Sequence, residues 1–458
     1  MIRFSLRERG KLVSRSMLAV ALALGTAAGG FSFAPAAMAA PKPPKMNFSK
    51  GFVAVAGPLQ KAIEEAKKRP DVAAAKAELD AAAQANNAAG TAAARGKLAT
   101  ALVGEKAQLD AAEAAIANED DRFMFGTLAI GLGGYAADNA MQRRGLGAMI
   151  QSGKADPAQL PRFHYFAGTL AYQDKDYVAA QTNLQAAIDA GFYENNSEAI
   201  LAEAFIAGGN PAKGLGILKA AIDRAKAAGT PAPAAWYRRG LGASYNAKMP
   251  GEAAEFAMRL VDSYPNKDNW GGAITVVREI GKFGAQETLD LMRLMARTDS
   301  YGEERDYIEY IQAADPRRLP GEVAKVIEAG VASGKLRAND AFVADARTQA
   351  TGRIAADKAS LASYAADARK AGATEATVTG AADALLSYGD SAQAVELYTM
   401  ALGKPGVDTA RVLTRLGIAQ VGTGDFVGAQ ATFAKVTGPR QAIAKLWSIY
   451  AAQKAKGG

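Results

Sequence analysis

The sequence predicts an all-α protein, a solenoid of antiparallel helix pairs preceded by an Ala-rich helical hairpin, on three observations. Apolar residues recur at intervals of three and four along most of the 458 residues, which is the spacing of a helix face, and no segment alternates apolar and polar residues long enough for a strand ladder. From Phe123 onward a pattern of small and large apolar residues returns every 34 residues, the mark of stacked units each too small to bury a core alone. Pro and Gly fall between the periodic stretches, where turns between helices belong.

The elements follow in order. Residues 1–39 read as a secretory signal peptide: a basic start holding Arg3, Arg7, Arg9, Lys11 and Arg15, an apolar stretch from Met17 to about Gly30, and the small-x-small site Ala37-Met38-Ala39. That stretch is shorter than the roughly 20 apolar residues that span a bilayer. Cleavage after Ala39 leaves Ala40 as the first residue and places the mature chain, which has no further apolar run of spanning length, in the periplasm. Residues 40–50, with three prolines and three lysines, have the composition of an extended tether.

Residues 51–120 form the predicted hairpin. Phe52, Val55, Leu59 and Ile63 share one helix face, and Pro70-Asp71 stops one helix and opens another. From Val53 to Arg122 there is no aromatic residue, so these helices pack closely but bury little area each, at ~25 cal/mol per Å².

Residues 121–315 carry the repeat. Ala167-Gly168, Ala171-Tyr172, Asp176-Tyr177, Ala180, Leu184 and Ala187 reappear 34 positions on as Leu201-Ala202, Phe205-Ile206, Asn210-Pro211, Gly214, Leu218 and Ala221. A third copy is registered on Leu241-Gly242 and Tyr245, and a fourth on Trp270, Ala273, Ile274 and Val277. Near the C-terminus Leu385, Gly389-Asp390, Ala394, Tyr398 and Ala401 are matched by Gln420, Gly424-Asp425, Ala429, Phe433 and Val436. Small residues fall where two helices approach, and large ones fill the gap between them.

These units resemble the tetratricopeptide repeat family, best over Gly168 to Ala187 and again over Leu416-Gly417, Gly424-Asp425-Phe426, Ala429 and Phe433. The resemblance implies a right-handed α-solenoid and protein binding as a class. It covers about 160–285 and 375–440, so residues 316–373 are expected as divergent helical repeats, with helices over 320–332, 338–350 and 353–370. Residues 374–458 complete the predicted C-terminal repeats, ending in a capping helix over 441–456 that carries Ile443, Leu446, Trp447 and Tyr450 on one stripe.

Composition narrows the chemistry. There is no Cys, which excludes disulfides, thiolate metal sites and cysteine nucleophiles. With one His, His164, there is no two-histidine metal motif, and His164 sits among Phe163, Tyr165 and Phe166 as a structural histidine. No Gly-rich phosphate loop, dinucleotide fingerprint or Gly-x-Ser-x-Gly elbow occurs. The carboxylate pairs Asp120-Asp121 and Glu303-Glu304 border turns and read as helix-end residues. Half of the formal charge of +8 lies in residues 1–40, and beyond them only the doublets Arg143-Arg144, Arg238-Arg239 and Arg317-Arg318 stand out, so nucleic acid is not an expected partner. No catalytic residue, metal or cofactor is assigned.

The sequence therefore predicts a non-enzymatic periplasmic scaffold that holds a peptide or protein segment in a concave groove, in envelope assembly or export. The alternative is an enzyme or accessory acting on cell-wall or exported glycan, supported by fold analogy alone. The resemblance places groove positions at Arg162, Tyr165, Tyr172, Glu203, Trp236, Arg239 and Asn246, a surface mixing aromatic side chains with both signs of charge.

Overall fold

The computed structural model describes residues 46–457. The signal segment expected over 1–39 and the tether up to residue 45 lie outside the described residues; Met46–Ser49 are irregular and lead into the first helix. Among the described residues there are 22 α-helices and no strand. They divide into two compact units at Thr230 and Pro231, in the non-helical stretch 228–233.

The first unit contains α1 (Lys50–Ala66), α2 (Pro70–Gln84), α3 (Ala88–Ala101), α4 (Val103–Ala114), α5 (Glu119–Ala136), α6 (Asn139–Gln151), α7 (Leu160–Gln173), α8 (Tyr177–Asp189), α9 (Ser197–Ala207) and α10 (Pro211–Ala227). The Ala-rich hairpin is doubled: α1 packs on α4, and α2 on α3. Asn86, with φ 51°, and Asn87, which caps α3 through its side chain, divide what the pattern joined, because Asn tolerates the left-handed conformation and also accepts a cap bond. The seam of α2 and α3 holds only Val72, Ala75, Leu79, Ala94 and Leu98.

From α5 onward consecutive helices pack as antiparallel pairs, and one turn chemistry recurs. Ala137, Lys175 and Gly209 have φ of 52°, 63° and 92°, and each precedes an Asp or Asn. The backbone N–H of Asp138, Asp176 and Asn210 donates back to Gly133, Ala171 and Phe205, at 2.8, 2.9 and 2.8 Å. The side chains of the same three residues accept from Met141, Ala179 and Lys213, capping α6, α8 and α10. One residue thus closes the first helix and opens the second.

The second unit contains α11 (Ala234–Asn246), α12 (Pro250–Ser263), α13 (Lys267–Gly281), α14 (Ala285–Arg297), α15 (Glu304–Ala314), α16 (Pro320–Ala332), α17 (Ala341–Ala368), α18 (Glu375–Tyr388), α19 (Ser391–Ala401), α20 (Thr409–Thr423), α21 (Phe426–Phe433) and α22 (Gln441–Ala455). Gly389-Asp390 and Gly424-Asp425 repeat the turn of the first unit, with φ of 90° and 83° at the glycines and caps from both aspartates.

Glycine sets the register of the pairs. A Cβ on Gly168 would overlap Leu184, one on Gly240 would overlap the Phe256 ring, and one on Gly417 would overlap the Phe433 ring. In each case the large residue follows the glycine by 16 positions. The third copy is therefore registered on Gly240, not on Leu241-Gly242: Gly242 faces open space and Tyr245 is 58% exposed. The sequence pattern alone could not separate two glycines spaced by two.

Two further expectations change. The helices expected over 338–350 and 353–370 are one 28-residue helix, α17, because Gly352 adopts no left-handed turn and Thr351 Oγ1 donates to Arg347 O at 2.8 Å. The C-terminal helix does not merely cap the last pair. It packs on α21 and also on α12, α13 and α14, so the second unit curls until its end meets its beginning. Inside that curl α14 is buried continuously from Leu289 to Met295, and α20 from Val412 to Ala419, as befits helices surrounded by others.

Candidate functional site

The first helices of the pairs carry the predicted surface, and in the first unit α7 and α9 show how it is made. On α7 Phe163, Phe166, Gly168, Leu170 and Ala171 are buried, leaving Arg162 exposed and Thr169, Tyr172 and Gln173 half-buried along the opposite stripe. On α9 Leu201, Ala202, Ala204 and Phe205 are buried, while Ala199, Glu203 and Ile206 stay half-buried and Asn196 is exposed. Arg162 lies over the Phe166 ring at 5.4 Å, and the Tyr172 ring stands 6.0 Å from that of Tyr177. Tyr165 is placed differently: it is 2% exposed, its ring is 4.9 Å from Phe192, and its hydroxyl donates to Asn195 O at 3.3 Å. Tyr165 thus anchors the segment between α8 and α9, and burial pushes its phenol pKa up.

In the second unit Trp236 is buried and its indole N–H has no hydrogen-bond partner. Arg239 is half-buried and Asn246 is exposed. Registered on Gly240, the three residues no longer occupy the repeat positions from which they were assigned. The structure brings Arg162, Tyr172 and Glu203 onto half-exposed faces of successive first helices, and it buries Tyr165 and Trp236.

The remaining polar candidates are structural. Asp120 accepts from Asn47 N at 2.7 Å and Asp121 from Ser49 N at 2.9 Å, fastening the entering chain to the start of α5; hydrogen bonds from these backbone groups hold both carboxyls below their usual range, against burial, which for Asp121 is the largest influence. Glu303 forms a capping box with Asp306. His164 Nδ1 lies 3.1 Å from Asn183 Oδ1, and since Asn183 Nδ2 donates to Ala179 O, the ring nitrogen is the donor. Arg143 and Arg144 border a hollow of about 360 Å³ with Ala140, Gly147, Ala167 and Asn183. They are paired, Arg143 with Asp174 and Asp176 and Arg144 with Asp110 and Glu113. Among the described residues no group of three or more His, Asp or Glu is placed to hold a metal ion.

Sequence reasoning missed the most unusual polar cluster, at the centre of the second unit. Asp290 is fully buried and accepts from Arg415 Nε at 3.1 Å, Arg440 Nη1 at 2.5 Å and Arg293 Nη1 at 3.3 Å. Arg293 also grips Glu322 with two bonds of 2.8 Å, Tyr310 O–H donates to Glu322 at 2.6 Å, and Arg415 Nη1 reaches Asp383 at 2.6 Å. Burial alone would raise the pKa of Glu322, but the Arg293 charge and hydrogen bonds hold it below the usual carboxylate range. Asp383 behaves alike, with burial opposed by Arg415 and Tyr398. Three guanidinium groups facing three carboxylates leave the cluster paired, so it acts as a bolt between helices and offers no free nucleophile or base. No signal marked it in the sequence: Gln286, Asp290, Arg293 and Arg297 recur at spacings of four, three and four, and Arg411 precedes Arg415 by four, so both helices read as having an ordinary polar face.

No family sequence pattern and no curated protein matches the chain. Solved structures do overlap it. The TPR2AB domain of yeast Sti1 in complex with pHSP90 is 13% identical over 66% of this chain and 97% of that one, with a TM-score of 0.24. The Cut9-Hcn1 hetero-tetramer of APC/C is 10% identical over 88% and 87%, at 0.19. A circular tandem repeat protein with novel repeat topology is 11% identical over 89% and 95%, at 0.13. The chain's own geometry settles its architecture: antiparallel pairs, a glycine 16 positions before a large residue at the crossing, and a left-handed turn residue before a capping Asp or Asn make it an α-solenoid of tetratricopeptide-like helix pairs.

Proposed function

We propose that the protein is a non-enzymatic scaffold of the periplasm that binds a peptide or protein segment along the first helices of its first unit, in envelope assembly or export. The observation that carries this reading is the division of α7 and α9 into a fully buried stripe and a half-exposed stripe that sets Arg162, Tyr172 and Glu203 beside small residues. Such a surface offers an aromatic anchor and charges of both signs to an extended or helical segment. The basic, apolar and small-residue pattern of 1–39 supports export, with the mature chain starting near Ala40, and no helix of the described residues is long and apolar enough to cross a membrane. Tyr165 contributes by anchoring the segment between α8 and α9, next to the surface.

A photoreactive residue placed at 172 or 203 in cells, with controls at the strongly exposed Val178 and Val427 on second helices, tests the reading. Adducts to one protein species from 172 and 203 and none from the controls, in material released by osmotic shock, are expected. Equal labelling from all four positions, or retention of the chain in the membrane pellet, contradicts it.

A further inference from the structure

The C-terminal helix of the second unit is held in the manner of a bound helix. Ile443, Leu446, Trp447 and Tyr450 lie on one stripe and are buried, while Gln441 and Lys445 face outward. The ring of Tyr450 meets Trp270 of α13 edge-on at 6.1 Å. Its polar contacts with distant helices go largely to groups that any helix of this pattern could engage. Trp447 Nε1 donates to the backbone oxygen of Asp290 at 2.9 Å, and Gln453 Nε2 to that of Val261 at 2.8 Å. Just before the helix, Arg440 meets Asp290 and, at 3.1 Å, Glu287.

The fit is incomplete. Where α22 begins, an apolar hollow of about 140 Å³ remains, lined by Ala254, Val277, Ile280, Gly281, Phe283, Pro439 and Ala442. The side chain that α22 presents there is the methyl of Ala442, and a longer aliphatic group at that position would fill the space. The link from α21 is short: Ala434, Lys435, Thr437, Gly438 and Pro439 are exposed, Val436 between them is buried, and Gly438 has φ 71°, a conformation that favours glycine.

We propose that the face made by α12, α13, α14 and α20 is a docking surface for a basic amphipathic helix, occupied in cis by the chain's own α22. The partner it fits carries large apolar residues at the spacing of Ile443, Leu446, Trp447 and Tyr450, an arginine three positions ahead of the first, and an aliphatic residue longer than alanine at the position of Ala442. Such a partner competes with α22 because it fills the hollow that α22 leaves. This surface belongs to the second unit and does not depend on the reading given for the first.

The test keeps the whole folded chain. A site-specific protease sequence is inserted between the exposed Thr437 and Gly438, leaving the buried Val436 in place, the purified protein is cut, and a fluorescent peptide of residues 438–456 is added in excess. The peptide is expected to exchange into the cut protein at one per chain. The same peptide with Ala442→Leu is expected to displace it at no more than one-third of the concentration the native sequence requires, and the Trp447→Ala peptide to need at least ten-fold more. Failure to exchange while the protein stays folded, or unfolding once the native segment leaves, shows α22 to be an inseparable part of the core and overturns the proposal. An Ala442→Leu peptide that competes no better than the native one overturns the assignment of the hollow as a partner subsite.

Discussion

Arg415 and Asp290 lie 125 positions apart and are joined by a 3.1 Å hydrogen bond, with side chains 1% and 0% exposed. In an open solenoid each unit touches only its neighbours, and stability is a sum of neighbour terms. Here α20 is bolted to α14, and α22 returns to α12, so the second unit gains contacts that link its two ends.

Replacing Asp290 by Asn leaves the shape of the side chain and removes the charge that Arg293, Arg415 and Arg440 share. Breaking a buried pair from one side typically costs about 3–5 kcal/mol. All three tryptophans, Trp236, Trp270 and Trp447, lie in the second unit, so the Asp290→Asn loss should appear as a lowered urea midpoint in tryptophan fluorescence. An unchanged midpoint would show that the cluster contributes nothing to closure.

Gly240→Ala and Gly242→Ala separate the two registers of the third copy. A methyl at 240 meets the Phe256 ring and should cost about 1–3 kcal/mol. A methyl at 242 meets nothing and should be neutral or stabilise by up to about 1 kcal/mol through helix propensity. The reverse order in thermal melts would restore the register read from Leu241-Gly242.

How much of this was legible follows from what a repeat encodes. Gly168 against Leu184, and Gly424-Asp425 as stop and cap, are local, and their 34- and 35-residue recurrence announces them. The pairing of Asp290 with Arg415, and the return of α22, depend on how many units complete the curl, which no single unit records. Of the site, the positions Arg162, Tyr172 and Glu203 were implied by the family resemblance, and they lie exposed or half-buried on α7 and α9. The burial of Tyr165 was not, because its partner Phe192 sits in a turn outside the repeat pattern.

Acid should weaken the second unit. Glu322 and Asp383 are more acidic folded than unfolded, so on acidification the unfolded chain takes up protons first. Their contribution is complete above the ordinary carboxylate range near pH ~4 and disappears as pH falls through their lower folded values. The urea midpoint by tryptophan fluorescence should be level from about pH 7 to 5 and drop below about 4, with a shallower drop in Glu322→Gln. A midpoint that rises on acidification contradicts this assignment.

Lys175 holds φ 63° in the turn between α7 and α8, where a side chain is disfavoured and glycine is not. Lys175→Gly should raise stability by up to about 1 kcal/mol, and Lys175→Val should lower it, since a β-branched residue resists this conformation most. Circular dichroism melts at 222 nm would report both.

The central claim, that the first unit binds a protein segment through the half-exposed stripe of α7 and α9, is tested most directly by calorimetric titration of the segment cross-linked at position 172, made as a synthetic peptide, into the wild-type protein and the Tyr172→Ala, Glu203→Ala double variant. The account predicts at least a ten-fold weaker Kd for the variant with an unchanged melting temperature. Equal affinity for the two proteins, or loss of binding only together with loss of folding, would contradict it.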